Sequence, residues 1–132
     1  FAVLTGTLTP AAWFAGLMPG LHAGAIMAVN NLRDICSDRR AEKMTLAVRL
    51  GENTARRLAM GLLILGNMVA IPLALIIGKP SLWFALALIP LSLPLLRSMH
   101  YTPRSAALNG VLARTGQWEL LTCLVIAGLL YI

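Results

Sequence analysis

Residues 8–40 read LTPAAWFAGLMPGLHAGAIMAVNNLRDICSDRR, in which an uncharged stretch passes directly into a charged one. A helix needs about 20 mostly apolar residues to cross roughly 30 Å of bilayer hydrocarbon, and the uncharged part, residues 8–31, is long enough. We therefore predict that residues 8–31 form a membrane-spanning helix whose end carries the charged segment.

The rest of the chain follows the same pattern. Further apolar stretches predict spans at residues 57–78, 81–99 and 105–131, and only 12% of all residues are charged, against about 25% in soluble domains. The last span carries Arg114 and Glu119 in its first half. An ionised group in hydrocarbon costs several kcal/mol unless it is paired, so we expect that half at the membrane interface or against other helices. The sequence thus predicts an all-α, multi-span transmembrane helical bundle with about four membrane helices.

Three kinds of residue inside the spans predict local features. Prolines kink or break membrane helices, and we expect this at Pro72, Pro90 and Pro94. Glycines four residues apart allow another helix to approach closely, as at Gly16, Gly20 and Gly24. A histidine within a span is more often a hydrogen-bonded packing residue than a functional one, which is our interpretation of His22.

The basic residues predict the orientation of the chain. Its net charge is +6, and ten of its eleven Lys and Arg residues lie between the first two spans or around the start of the last one, whereas Lys79 lies alone between the middle spans. Basic loops face the cytoplasm. We therefore expect residues 30–57 to form a cytoplasmic motif loop, with the lipid bilayer and no nucleic acid as partner.

The candidate binding and metal-ligating residues lie within residues 30–49. If the first helix continues to about Arg40, then Asn30, Asp34 and Asp38 form one ridge, here called the acidic ridge. Like charges four residues apart destabilise a helix slightly, and a cation beside them relieves that repulsion. Mg²⁺ is typically held by one or two carboxylates together with substrate phosphates, and nearby cations suit the phosphates themselves; these are Arg33, Arg39, Lys43 and Arg49.

The alternative interpretation is a charged loop that only fixes orientation. Three features favour a site instead. Three of the five acidic residues of the chain fall in this one segment, the pair Asp34 and Asp38 abuts a span, and Asn30 and Asn31 stand where the helix leaves the lipid.

At this point the residues resemble a known family. Asn-Asn-x-Arg-Asp-x-x-x-Asp at residues 30–38, followed by Lys-x-Thr-Leu-Ala-Val-Arg-Leu-Gly at residues 43–51, is similar to the second aspartate-rich motif of the UbiA-type intramembrane prenyltransferases. The likeness continues through residues 52–57 and 112–115. Within that family the segment is most similar to the branch that prenylates 1,4-dihydroxy-2-naphthoate in menaquinone synthesis.

The resemblance implies a bundle of nine membrane helices in the bacterial cytoplasmic (inner) membrane, of which this chain supplies the C-terminal part. It implies transfer of a polyprenyl group from a polyprenyl diphosphate to an aromatic acceptor. It also implies that Asp34 and Asp38 are the catalytic, Mg²⁺-binding residues. The diphosphate would be held by Asn30, Asn31, Arg33 and Lys43.

The sequence departs from the family pattern in two respects. Family members usually have Gly where this chain has Glu42, which changes the turn and the local charge. The first aspartate-rich motif is missing, so we expect the 132-residue chain to be inactive by itself. Two alternatives stay open: another aromatic acceptor such as 4-hydroxybenzoate, and a transporter or structural membrane subunit without enzymatic activity.

Overall fold

The computed structural model describes residues 6–131, and every regular element in that part is a helix. The all-α class predicted from the sequence is therefore confirmed. In chain order the elements are α1 (Pro10–Arg40), α2 (Leu46–Leu50), α3 (Glu52–Met68), α4 (Ala70–Ile77), a 3-10 helix (Pro80–Ala87), α5 (Leu88–Leu91), α6 (Leu93–Tyr101) and α7 (Leu108–Tyr131).

Helix α1 is longer than a membrane crossing requires. The side chain of Thr9 caps its start by accepting from the Ala12 N–H at 3.2 Å, and Pro10 occupies the first helical position, where no N–H is needed. Its 31 residues give a length of about 46 Å at 1.5 Å per residue. Roughly a third of that length exceeds the thickness of the hydrocarbon, and the helix continues to Arg40, which is the condition under which Asn30, Asp34 and Asp38 form one ridge.

Three helical stretches of the described residues are long and apolar enough to cross a membrane: Pro10–Arg40, Glu52–Ile77 and Pro80–Tyr101. They correspond to the first three predicted spans, so the multi-span class is confirmed. The fourth predicted span coincides with α7, which has 24 residues. Helix α7 is not among the stretches of the described residues that are apolar enough to cross, and its crossing stays a prediction.

The second and third spans are interrupted near their prolines, as predicted. Val69 separates α3 from α4, because Pro72 lacks the N–H that would bond to the carbonyl of Met68. The third span begins as a 3-10 helix and is broken again at Ser92, between Pro90 and Pro94. These breaks divide each span into shorter helices.

The segment that we expected as a charged loop, residues 30–57, is mostly helical. Only residues 41–45 and Gly51 lie between helices. The Thr45 hydroxyl caps α2 by accepting from the Val48 N–H at 3.4 Å, and Gly51 joins α2 to α3 with a φ of 80°, which glycine adopts without strain. The connection between the first two spans is therefore compact and folded.

Helix α1 packs most extensively against α3 and also against α7. The glycine stripe contributes at one position, since a Cβ on Gly24 would lie 3.4 Å from Leu62 Cδ1. At Gly16 and Gly20 an added Cβ would meet no other described residue within 4 Å. Of the three glycines of the predicted stripe, Gly24 alone has another helix this close.

His22 links the three helices that pack together. It is fully buried, with Nε2 at 3.2 Å from Asn67 Oδ1 in α3 and Nδ1 at 3.2 Å from Thr122 Oγ1 in α7. Trp118 Nε1 donates to the same Asn67 oxygen at 3.1 Å. The interpretation of His22 as a hydrogen-bonded packing residue is confirmed.

Candidate functional site

The acidic ridge lies on the part of α1 that extends beyond its apolar stretch. Asn30, Asp34 and Asp38 belong to one continuous helix, so they stand one turn apart on the same side. All three are half-buried. Among the described residues the side chain of Asp38 has no hydrogen bond or ion pair, so its carboxylate is available to a ligand.

Asp34 differs from Asp38 in being paired. Arg33 donates from Nε to Asp34 Oδ1 and from Nη2 to Asp34 Oδ2, each at 2.7 Å. The third arm of the guanidinium, Nη1, donates to Asn109 Oδ1 at 3.0 Å. Two of the predicted site residues therefore contact each other, and Asn109 joins them from α7.

Asn109 is a residue of this cluster that sequence reasoning did not find. It lies 76 positions from Arg33 along the chain, and Asn109-Gly110 is typical of an ordinary turn. No local pattern connects it with the acidic ridge. Only the packing of α7 against α1 brings it there.

The end of α1 places Lys43 next to the ridge. The Lys43 N–H bonds to the Asp38 carbonyl at 2.8 Å and the Glu42 N–H bonds to the Arg39 carbonyl at 3.3 Å. This pair of bonds is the Schellman motif that ends many helices. It reverses the chain directly after Arg40 and returns the backbone of Lys43 to Asp38; the phosphate-binding role of Lys43 stays a prediction.

Glu42 occupies the position of this motif that favours glycine. Its φ is 56°, and it is the one described residue other than glycine with a positive φ. A left-handed conformation costs an L-residue with a Cβ roughly 1–2 kcal/mol. The departure at Glu42 noted in the sequence therefore falls on a strained backbone position.

We expect Glu42→Gly to stabilise the protein by about 1 kcal/mol, because glycine adopts this φ freely. Thermal unfolding of the detergent-solubilised full-length protein measures the effect. Glu42→Ala is the matched control, since it removes the same charge and keeps the Cβ, and it should leave the stability near that of the wild type. If Glu42→Gly were no more stable than Glu42→Ala, the strain assigned to this position would be wrong.

A second polar cluster ties α3 to α6 at the same end of the bundle. Arg56 is buried, and its Nη1 donates to the Met99 carbonyl at 2.7 Å, near the end of α6. Its Nη2 donates to Glu52 Oε1 at 2.9 Å, and Glu52 Oε2 pairs with Arg104 at 3.6 Å. The sequence indicated Arg56 as an orientation charge within the stretch that resembles the family. The structure shows that it also satisfies the Met99 carbonyl, which lies at a helix end where carbonyls have no N–H partner in the helix.

An apolar groove of about 290 Å³ lies beside Asn31. Its floor includes three buried alanines, Ala28, Ala47 and Ala55, one each from α1, α2 and α3, whose short side chains leave the depression. Asp38 lies seven residues beyond Asn31, two turns further on the same face of α1. The groove is lined by Gly24, Met27, Ala28, Asn31, Leu46, Ala47, Ala55, Leu58 and Leu62.

The donor set of the ridge fits Mg²⁺ as one part of a site. Within residues 6–131, no group of three or more His, Cys, Asp or Glu side chains lies close enough to hold a metal ion. Mg²⁺ does not require such a group, because it is commonly bound by one or two carboxylates, substrate phosphates and water. The carboxylates of Asp34 and Asp38, with Arg33 and Lys43 for phosphate oxygens, meet that description.

Comparison with known proteins gives one family and three curated relatives. The model of the UbiA prenyltransferase family matches residues 1–113. The 1,4-dihydroxy-2-naphthoate octaprenyltransferase of Escherichia coli (strain K12) is 41% identical over 122 residues, which are 90% of this chain and 39% of the relative.

Two mycobacterial proteins of the same name are also similar. The relative from Mycobacterium tuberculosis (strain ATCC 25618 / H37Rv) is 35% identical over 121 residues, 89% of this chain and 41% of the relative. The relative from Mycobacterium leprae (strain TN) is 32% identical over 123 residues, 89% of this chain and 40% of the relative. The chain thus spans about two fifths of the length of these proteins. No solved structure matches it significantly.

Proposed function

Since the chain belongs to the UbiA prenyltransferase family, we propose that the full-length protein transfers a polyprenyl group from a polyprenyl diphosphate to 1,4-dihydroxy-2-naphthoate. The reaction is a Mg²⁺-dependent step of menaquinone biosynthesis. The observation that carries the proposal is the similarity of about nine tenths of the chain to three proteins named as 1,4-dihydroxy-2-naphthoate octaprenyltransferases. It favours the enzyme over a transporter or a structural subunit, and the naphthoate over 4-hydroxybenzoate.

The polar end of α1, which carries the acidic ridge, binds the diphosphate of the donor. Lys43 and Arg33 neutralise phosphate oxygens, and the planar fork of Arg33 contacts two of them at once. Asn30 and Asn31 donate from their amides without adding charge. Asp34 and Asp38 hold Mg²⁺, which when bound stabilises negative charge on the departing diphosphate.

The chemical step separates the allylic carbon from the diphosphate. The C–O bond breaks, and its electron pair leaves with the diphosphate, whose growing charge Arg33 and Lys43 stabilise. An electron-rich carbon of the naphthoate ring forms the new C–C bond with the allylic carbon. The ring then regains aromaticity when the bond to the group already present at the attacked carbon breaks and its electron pair returns to the ring. That group leaves as a proton taken up by water or, at the carboxylate-bearing carbon, as CO₂.

The apolar groove beside Asn31 holds the prenyl chain of the donor. Its lining is apolar apart from the amide of Asn31, and burial of alkyl carbons there is favourable by about 25 cal/mol per Å². The naphthoate acceptor carries a carboxylate and two hydroxyls, which need charged or hydrogen-bonding partners. The groove offers such a molecule one amide, so its lining favours the alkyl chain.

The same arrangement supports a placement of the protein in the membrane. The protein is an integral membrane protein with the polar end of α1 on the cytoplasmic side of the bacterial inner membrane, where basic segments are retained. A water-soluble diphosphate head group is then bound at the membrane surface. The prenyl chain enters the bilayer interior directly below it.

Product analysis with two acceptors tests this function. The purified full-length protein, supplied with octaprenyl diphosphate and Mg²⁺, should convert 1,4-dihydroxy-2-naphthoate at least roughly tenfold faster than 4-hydroxybenzoate. The products are identified by mass spectrometry. A tenfold ratio corresponds to about 1.4 kcal/mol of discrimination between the two acceptors. Faster conversion of 4-hydroxybenzoate would show that the acceptor is proposed wrongly, while the proposed prenyl transfer would still hold. No prenylated product from either acceptor would overturn the proposed function.

A further inference from the structure

The contacts of Arg33 conflict in part with the role proposed for Asp34. Both oxygens of Asp34 accept from Arg33 at 2.7 Å, so a guanidinium charge lies directly beside a proposed ligand of Mg²⁺. Like charges repel, and the cation binds well only after the guanidinium has turned towards another anion. The phosphate oxygens of the donor are such an anion.

Asn109 gives the Arg33 guanidinium a contact that does not involve Asp34. It accepts from Nη1 of Arg33 at 3.0 Å, whereas Nε and Nη2 contact Asp34, so the guanidinium can rotate about its contact with Asn109. The amide is neutral and does not compete with phosphate for the charge of Arg33. Because it belongs to α7, it also holds Arg33 from outside the helix that carries the acidic ridge.

We propose that Asn109 is a positioning residue for the donor diphosphate. It keeps the Arg33 guanidinium at the polar end of α1 while Arg33 passes from Asp34 to the phosphate oxygens, and Asp34 becomes free to bind Mg²⁺. Two of the five guanidinium N–H groups are not used by the three contacts and remain available to phosphate. The inference rests on the proposed function, since it assumes a diphosphate at this site.

The proposal is tested with Asn109→Ala in the full-length protein. Asn109 is exposed, so the variant should fold. A lost hydrogen bond to a charged group corresponds to about tenfold in binding. We expect the KM for octaprenyl diphosphate to rise about tenfold, kcat to stay within about twofold, and the KM for the naphthoate to stay unchanged. The matched control Asn53→Ala, at another exposed asparagine at the start of a helix, should leave all three constants unchanged.

A second measurement does not depend on catalysis. Calorimetric titration with inorganic diphosphate and Mg²⁺ should show about tenfold weaker binding to Asn109→Ala than to the wild type. In an Arg33→Ala background the same Asn109→Ala change should have no further effect, because the contact no longer exists. An unchanged donor KM, or an equal loss of binding with and without Arg33, would overturn the proposal. If the wild type binds diphosphate but transfers no prenyl group, the proposed function fails and the titration still decides the role of Asn109.

Discussion

Replacing Asp34 or Asp38 by alanine in the full-length protein lowers kcat for prenyl transfer by at least roughly a hundredfold, the size of effect seen when a group that stabilises transition-state charge is removed. Each change removes one of the two carboxylates of the acidic ridge. Asp34 is partly exposed and its partner Arg33 is too, with side-chain exposures of 34% and 29%, so breaking this pair costs at most about 1 kcal/mol of stability. Loss of activity without loss of folded protein is therefore the expected result.

Glu42→Ala is the control for this experiment. It removes a carboxylate four residues beyond Asp38, at a position whose backbone N–H bonds to the Arg39 carbonyl and not to the ridge. We expect kcat to be kept and the KM for the donor to fall, because a negative charge near the diphosphate is lost. Activity retained within a few-fold in both aspartate variants would show that the ridge is not the metal site.

The largest effect on stability is expected from Gly66→Ala. A Cβ at Gly66 would lie 2.5 Å from Cδ2 and Nε2 of His22, and His22 has no room to yield because it is fully buried and bonded to Asn67 and Thr122. Overpacking costs about 1–3 kcal/mol, and each broken hydrogen bond adds about 1 kcal/mol. We expect a loss of about 3 kcal/mol.

Gly61→Ala, in the same helix, is the matched control for the effect of adding a methyl group. A Cβ at Gly61 meets no other described residue within 4 Å, so this variant should be as stable as the wild type or more stable by up to about 1 kcal/mol. Thermal unfolding of the detergent-solubilised protein compares the two variants. Equal midpoints for Gly66→Ala and Gly61→Ala would contradict the packing described around His22.

Features that depend on one helix at a time could be predicted from the sequence. The uncharged stretches predicted three membrane helices, and the prolines marked the breaks near Val69 and Ser92. The alignment of Asn30, Asp34 and Asp38 followed from helical periodicity once the first helix was taken to continue to Arg40. Each of these rests on periodicity, length or a missing N–H. The predicted cytoplasmic orientation and the fourth span remain predictions.

Features that depend on how helices pack together could not be predicted. The contact of Arg33 with Asn109 and that of Arg56 with the Met99 carbonyl join distant parts of the chain, and periodicity within a helix does not give its rotation relative to another. The groove was missed for the same reason, because Ala28, Ala47 and Ala55 form a floor only when three helices meet. The helical connection between the first two spans was missed because its high charge indicated a loop.

Product formation after removal of divalent cations tests the central claim, that the acidic ridge of α1 carries a Mg²⁺-dependent prenyl transfer. The full-length protein is treated with a chelator and given octaprenyl diphosphate and 1,4-dihydroxy-2-naphthoate, with and without added Mg²⁺. We predict that no prenylated naphthoate forms without Mg²⁺ and that adding Mg²⁺ restores product formation fully. In Asp38→Asn, which keeps the shape of the side chain without its charge, adding Mg²⁺ should restore no product formation. Equal rates with and without Mg²⁺, or full recovery in Asp38→Asn, would contradict the account.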